Sequence, residues 1–190
     1  LDETDRRTGK FMSLAFEAMQ FARAVHKDQR RKYTNNPYTD HLAEVAGVVA
    51  TVVDWQLIHP EVMIATAWLH DCMEDQGITT SGLWDHLGIN SDYSMTEVEA
   101  VVRGVWFLSD LEQGNRAERK RLSRERLGGA PGWVQTIKVA DLISNTSSIV
   151  QHDPTFAATY LEEKRLLLDV LTKADPRLLQ IARDQIKQPA

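Results

Sequence analysis

Residues 64–75 read Ile64–Ala65–Thr66–Ala67–Trp68–Leu69–His70–Asp71–Cys72–Met73–Glu74–Asp75, an apolar run that ends abruptly in charge. The first six side chains suit a core helix. Of the next six, His70, Asp71, Glu74 and Asp75 can each bind a metal or move a proton. On a helix, positions three and four apart share a face. Glu74 therefore falls in line with His70 and Asp71, and Asp75 with Asp71, as one polar wall. Burying that many charges is costly unless a cation or hydrogen bonds offset them. A divalent metal is the simplest remedy. The stretch predicts a buried central helix over 61–73 with a metal-binding end. The competing reading is a capped helix end with a solvated acidic tail.

Working outward, the rest of the chain also reads as helices. Phe11, Leu14, Ala15, Ala18, Phe21, Ala22 and Val25 recur at helical spacing, predicting a helix over 10–27. The turn signal Asn35–Asn36–Pro37 closes a polar loop, and a second helix over 38–53 carries His41 near its start. Thr80 or Ser81 is placed to cap a short helix ending before Gly88. Ser94 or Thr96 caps the next, with Thr96 and Glu99 spaced as a capping box. A basic helix follows the loop 110–115, and Gly128–Gly129–Ala130–Pro131–Gly132 breaks the chain. Further helices are predicted over 133–150 and 155–173, and a last one opens on Asp175–Pro176. No strand-like alternation, repeat or linker interrupts this pattern. The expected class is all-α, with residues 1–190 as one domain.

A chain of 190 residues is long enough to bury a sizeable core. Cys72 is the single cysteine, so no internal disulfide forms, which suits a reducing cytoplasm. Within its motif it reads as packing rather than as a nucleophile. The polar start, Leu1 to Lys10, shows no signal peptide, and the apolar stretch from Val45 to Val53 is too short to span a membrane. The net charge of −5 gives no global attraction for a nucleic acid polymer. Basic residues gather instead in Arg30–Arg31–Lys32 and between Arg116 and Arg126. Such clusters suit a small polyanion, or else a solvated helix face. The sequence does not fix an oligomeric state.

Further metal ligands must come from distant helices. His41, in Pro37–Tyr38–Thr39–Asp40–His41, and Asp141, among apolar neighbours after Lys138, are the candidates. With His70 and Asp71 they make a mixed nitrogen–oxygen set, suited to Mn²⁺, Fe²⁺ or Zn²⁺ more than Ca²⁺ or Mg²⁺. The absence of thiolate favours a catalytic over a structural site. His26, His59, His86 and His152 fit no cluster and read as surface or capping residues.

The order His41, His70–Asp71, Asp141 resembles the HD-domain phosphohydrolases. Gln29–Arg30–Arg31–Lys32, the HDxxED stretch His70 to Asp75, Glu118–Arg119–Lys120–Arg121, and Lys138 through Asn145 narrow the resemblance. They are similar to the small alarmone hydrolases, the branch of the RelA/SpoT-homologue family that includes the metazoan SpoT homologue. The resemblance runs from about Phe16 to Tyr160. It implies an HD-type helical bundle that removes the 3′-pyrophosphate from (p)ppGpp or (p)ppApp. It implies Mn²⁺ held by His41, His70, Asp71 and Asp141, with Glu74 and Asp75 acting on water. Substrate contacts would fall to Arg31, Lys32, Lys138, Asn145 and Tyr160, and more weakly to Lys120 and Arg121. Lys164 shares a helix face with Tyr160 and is placed to help close the pocket. Departures include Thr146 where the family has Leu after the Asn, and Tyr33 after the basic triplet; several lie where a base would bind. Another HD phosphohydrolase, a 5′-nucleotidase or phosphodiesterase, and a non-catalytic alarmone-binding domain are the alternatives. No synthetase-like half is expected from this sequence.

Overall fold

A computed structural model describes residues 13–54, 56, 58–89 and 93–187. The predicted helical turn at Lys10 and Phe11 lies outside the described residues. The first helix, α1 (Leu14–Val25), is capped by Ser13, whose hydroxyl accepts from the Phe16 amide. Its buried residues Leu14, Ala18 and Ala22 recur every four positions, so one stripe faces the core. After a loop closed by a bridge between Arg30 and Pro37, α2 (Tyr38–Ala50) begins. The next helix, α3 (Pro60–Leu69), starts on proline and is buried on nearly every side. It packs against both α1 and α2.

Here the structure corrects the sequence reading. The central helix does not run on to Met73. It ends at Leu69, and a separate short helix, α4 (Cys72–Gln76), follows. Asp71 between them has φ −101° and ψ −1°, the sparsely populated bridge region where many active-site residues sit. The chain leaves α4 through Gly77 at φ +65°, a left-handed conformation that glycine adopts without strain.

Thr79, rather than Thr80 or Ser81, caps α5 (Thr80–Leu87). The capping box of α6 (Met95–Leu108) is formed by Ser94 and Glu97, not by Thr96 and Glu99. The basic helix α7 (Arg116–Gly129) is capped by Asn115. Then come α8 (Gly132–His152), α9 (Pro154–Leu168) and α10 (Pro176–Lys187), whose start is capped by Asp175. The expected helix to Lys173 thus stops one turn sooner. Among the described residues there is no strand, and the class is all-α.

Two apolar clusters make the interior. One is centred on α1, α3, α5 and α6, the other on α2, α8, α9 and α10, and α2, α3 and α6 contribute to both. Trp68 and Trp133 pack against both. The seam is tight at Gly104: a Cβ there would stand 2.5 Å from the Trp133 ring and 2.9 Å from Thr66. Glycine therefore lets α6 approach α3 and α8 at this point. The functional residues collect beside the seam, where the end of α3 meets α2 and α8. No helix among the described residues is long and apolar enough to cross a membrane.

Candidate active site

Four helix positions converge. His41 comes from the first turn of α2, His70 and Asp71 from the break between α3 and α4, and Asp141 from the middle of α8. The break is what lets adjacent residues His70 and Asp71 serve one point. His41, His70 and Asp71 each offer a ligand atom within 4.8 Å of the other two. His70 Nε2 is 2.9 Å and His41 Nε2 3.5 Å from Asp71 Oδ2. Asp141 stands outside that mutually close trio but reaches both imidazoles, with Oδ1 3.4 Å from His41 Nε2 and 3.8 Å from His70 Nε2.

The contacts of 2.9, 3.5 and 3.4 Å are close to those around a bound cation, whereas the 3.8 Å from Asp141 to His70 is longer. Two donor atoms ~2.1 Å from one ion, at tetrahedral or octahedral angles, stand roughly 3.0–3.4 Å apart. Both Nε2 atoms are buried, yet neither makes a hydrogen bond despite the nearby carboxylates. The other ring nitrogens fix the tautomers. His70 Nδ1 donates to the Ala67 carbonyl at 2.8 Å, so its lone pair lies on Nε2. Ser144 Oγ donates to Glu44 Oε2 at 2.7 Å and so receives the His41 Nδ1 proton at 2.8 Å. Partners of this kind orient metal-ligating histidines. This His/Asp cluster can thus hold a metal ion.

The electrostatics agree. Burial alone would depress the His70 pKa, but Asp71 and Asp141 outweigh it and push it up to about 10. The same carboxylates raise His41. Asp141 is held well below the usual carboxylate range because Lys138 and the two histidines overcome the effect of burial. The centre therefore attracts positive charge, which protons or a metal can supply.

Second contacts steady the carboxylates. Tyr38 donates to Asp71 Oδ2 at 2.7 Å. Lys138 Nζ donates to Asp141 Oδ2 at 2.9 Å, and Asn145 Nδ2 to Oδ1 at 2.6 Å. Arg31 lies alongside, with one nitrogen 3.3 Å from Asn145 Oδ1 and another 3.5 Å from Ser144 Oγ. The single wall expected for Glu74 and Asp75 is divided. Glu74 accepts from the Asp110 amide at 2.9 Å, whereas Asp75 accepts from Gln29 at 2.7 Å. Consecutive residues of α4 point about 100° apart, and so face different neighbours. Removal from water raises the Glu74 pKa, with Lys138 and the Asp110 amide opposing the shift.

Lys120, Lys138, Asn145 and Tyr160 line one cavity with Asp141, as does Lys164. Lys120 pairs with Asp110 at 2.8 Å. Three predicted contacts do not line this cavity: Arg31, which lies beside Asn145, Lys32 and Arg121. Lys32 is exposed beside Tyr33 and Asp153. Arg121 is engaged by Glu118 and Glu125 on the outer face of α7. His26 is not a surface residue: it is buried beside Cys72 Sγ at 3.6 Å, between Gln29 and Gln76. His59 and His86 lie near Glu97 and Glu17, and His152 stacks on Tyr33. Burial pushes the Cys72 thiol up, consistent with packing.

Sequence reasoning missed Glu44, Ser144 and Asp110, and noted Tyr38 without giving it work. Tyr38 and Glu44 flank His41 by three residues, and Ser144 follows Asp141 by three, so helical spacing marked them. Asp110 sits in a loop and carried no such signal.

No family model matches the chain. Curated relatives do. The chain is 29% identical over 149 residues to guanosine-3′,5′-bis(diphosphate) 3′-pyrophosphohydrolase MESH1 of Drosophila melanogaster, covering 78% of this chain and 74% of that one. For the protein of the same name from Homo sapiens the identity is 29%, covering 73% and 70%. In fold it is similar to the solved structure of a metazoan ortholog of SpoT that hydrolyses ppGpp and plays a role in starvation responses. The TM-score is 0.76 at 23% identity, covering 93% of this chain and 96% of that one. The relatives are those that the motif order resembles, and the fold is the HD-type bundle.

Proposed function

We propose that this chain is a metal-dependent hydrolase that removes the 3′-pyrophosphate from guanosine 3′,5′-bis(diphosphate), acting from one domain in the cytoplasm. The curated relatives carry that activity in their names. The observation that carries the reading is the pair of buried, unbonded Nε2 atoms facing two carboxylates at ligand spacing. His41, His70, Asp71 and Asp141 would hold the ion, for which we assign Mn²⁺. When bound, such an ion polarises phosphoryl oxygens and lowers the pKa of water.

The chain's own residues account for the remainder. In the reaction the water oxygen bonds to the phosphorus nearest the ribose, and the bond from that phosphorus to O3′ breaks. Glu74, raised in pKa and one turn past Asp71, is suited to take the proton from water. Asp75 supports it from the Gln29 side. The 3′-oxygen gains a proton, leaving a 3′-hydroxyl and free pyrophosphate. Lys138 and Lys120 offset phosphoryl charge. Arg31 presents a flat guanidinium beside Asn145, suited to stack on a purine, while Asn145 contacts the sugar and Tyr160 closes the pocket. Lys32 and Arg121 act, if engaged, from the rim.

The adenine counterparts fall within the same reading, because no residue described here selects one purine. The test is a Mn²⁺-dependent turnover panel of ppGpp, pppGpp, ppApp, pppApp and simple 5′-nucleotides, resolved by product. Pyrophosphate release from the 3′-diphosphates alone is expected. Release of orthophosphate from 5′-nucleotides would replace this reading with that of a 5′-nucleotidase.

A further inference from the structure

The cavity beside Asp141 has a volume of about 140 Å³. Sites for whole small molecules run to roughly 300–1,000 Å³. The cavity therefore accepts one group of a ligand and leaves the rest outside.

Its charges are unevenly satisfied. Lys120 pairs with Asp110 and Lys138 with Asp141. The Glu163 carboxylate on its wall is taken by Arg116, with both contacts at 2.7 Å. Two lining cations, Lys164 and Arg124, have no carboxylate partner among the described residues. Lys164 is only 1% exposed. Its Nζ donates to Thr146 Oγ1 at 2.7 Å and to Gln185 Oε1 at 2.8 Å, both neutral. An ammonium has three N–H donors, so one remains. Burying a cation among neutral partners is costly unless an anion arrives to pair with it.

We propose that Lys164 and Arg124 form an anion subsite for the terminal phosphate of the scissile diphosphate, a role that rests on the function proposed above. The cavity shares Asp141 with the metal cluster, so its occupant adjoins the group held at the metal. Of the groups that flank the scissile phosphorus, the sugar and the terminal phosphate, only the terminal phosphate carries the negative charge that Lys164 and Arg124 lack. Thr146 belongs to the same device. A hydroxyl at this position of α8 positions the Lys164 ammonium, where leucine offers no acceptor.

The competing explanation is that Lys164 merely ties α9 to α8 and α10. Calorimetry separates the two, with inorganic pyrophosphate and orthophosphate as probes of the Mn²⁺-loaded protein. The wild type is expected to prefer pyrophosphate. Lys164→Met should weaken pyrophosphate about tenfold to a hundredfold, the size of a charge-assisted hydrogen bond, with orthophosphate affinity and metal content unchanged. A folded Lys164→Met that binds pyrophosphate like the wild type would overturn the subsite, as would equal loss of both anions or loss of metal. Should that variant not fold, Arg124→Gln decides: a several-fold loss supports the subsite and unchanged affinity overturns it. Turnover keeps the two proposals apart. A wild type that hydrolyses ppGpp while Lys164→Met keeps its pyrophosphate affinity leaves the function standing and removes the subsite. Selective pyrophosphate binding without turnover does the reverse.

Discussion

Lys138 on α8 and Lys164 on α9 face one cavity, and their surroundings are opposite. Around Lys138 the charges are closed. It bonds Asp141 and lies in the field of Asp110 and Glu74, which outweighs burial and holds its pKa above the usual lysine range. Around Lys164 they are open. Only hydroxyl and amide oxygens meet it, and burial pulls its pKa down to about 8. The difference teaches how the site divides its work. The Lys138 side is a balanced scaffold that holds the Asp141 carboxylate of the His/Asp cluster in place. The Lys164 side is unbalanced until an anion binds, so its energy is spent on recognition rather than on stability.

The comparison breaks first if the balanced side is not a metal scaffold. Asp71→Ala and Asp141→Ala should each abolish Mn²⁺ binding and turnover together, read by metal analysis and product release on the same preparation. Full activity of either variant in chelator-treated buffer would remove the metal reading. Next in size is Glu74→Gln, which keeps the acceptor for the Asp110 amide but removes the basic carboxylate. We expect kcat to fall about 10²- to 10⁴-fold with metal and substrate affinity retained. Asp75→Asn should cost less, because Asp75 faces Gln29. The double variant should then lose less than the product of the two effects, if the pair acts as a unit.

Much of the balanced side was legible in the sequence. His70–Asp71 after an apolar run, and His41 and Asp141 among core-spaced neighbours, announced charges that needed a partner. The helix class followed from apolar spacing alone. What spacing did not reveal was the break after Leu69. Leu69–His70–Asp71–Cys72 holds neither glycine nor proline to mark a break, yet Asp71 takes up the bridge-region backbone. Glu74 and Asp75 part ways for a simpler reason: as neighbours on α4 they point about 100° apart. The basic run of α7 was read only as a cluster. Which of its members turn inward is decided by Glu118 and Glu125, which occupy Arg121 and leave Lys120 to Asp110. The Lys164 side was read as a helix face shared with Tyr160, because its character depends on Thr146 and Gln185 from two other helices.

Stability sharpens the contrast. Lys138→Met takes the ammonium away from Asp141 and leaves the buried carboxylates of the His/Asp cluster with less positive charge. Breaking one side of a buried charge pair costs about 3–5 kcal/mol. Denaturant unfolding of the chelator-treated variant should show a loss near the lower end of that range. Loading with Mn²⁺ should recover part of it, because a bound cation offsets the same carboxylates. An equal loss with and without metal would mean that Lys138 acts through packing alone.

The smallest expected effect has the opposite sign. Lys164 has a folded pKa of about 8 against the usual lysine value of 10.5, so the unfolded chain holds a proton that the folded one releases. Stability therefore rises with pH between those values, and the full destabilisation is present below pH 8. A shift of that size is worth roughly 3 kcal/mol. Lys164→Met removes the penalty but also removes two hydrogen bonds, worth about 1 kcal/mol each. At pH 7 the variant should be more stable than the wild type by about 1 kcal/mol. As pH rises towards 10.5, the wild type loses its penalty while the variant gains nothing. The two should then cross, leaving the variant less stable by the missing hydrogen bonds. Urea unfolding at several pH values reads this directly. A variant less stable than the wild type at pH 7, by an amount that does not change with pH, would show that Lys164 is a structural tie and that its charge is not held open for an anion.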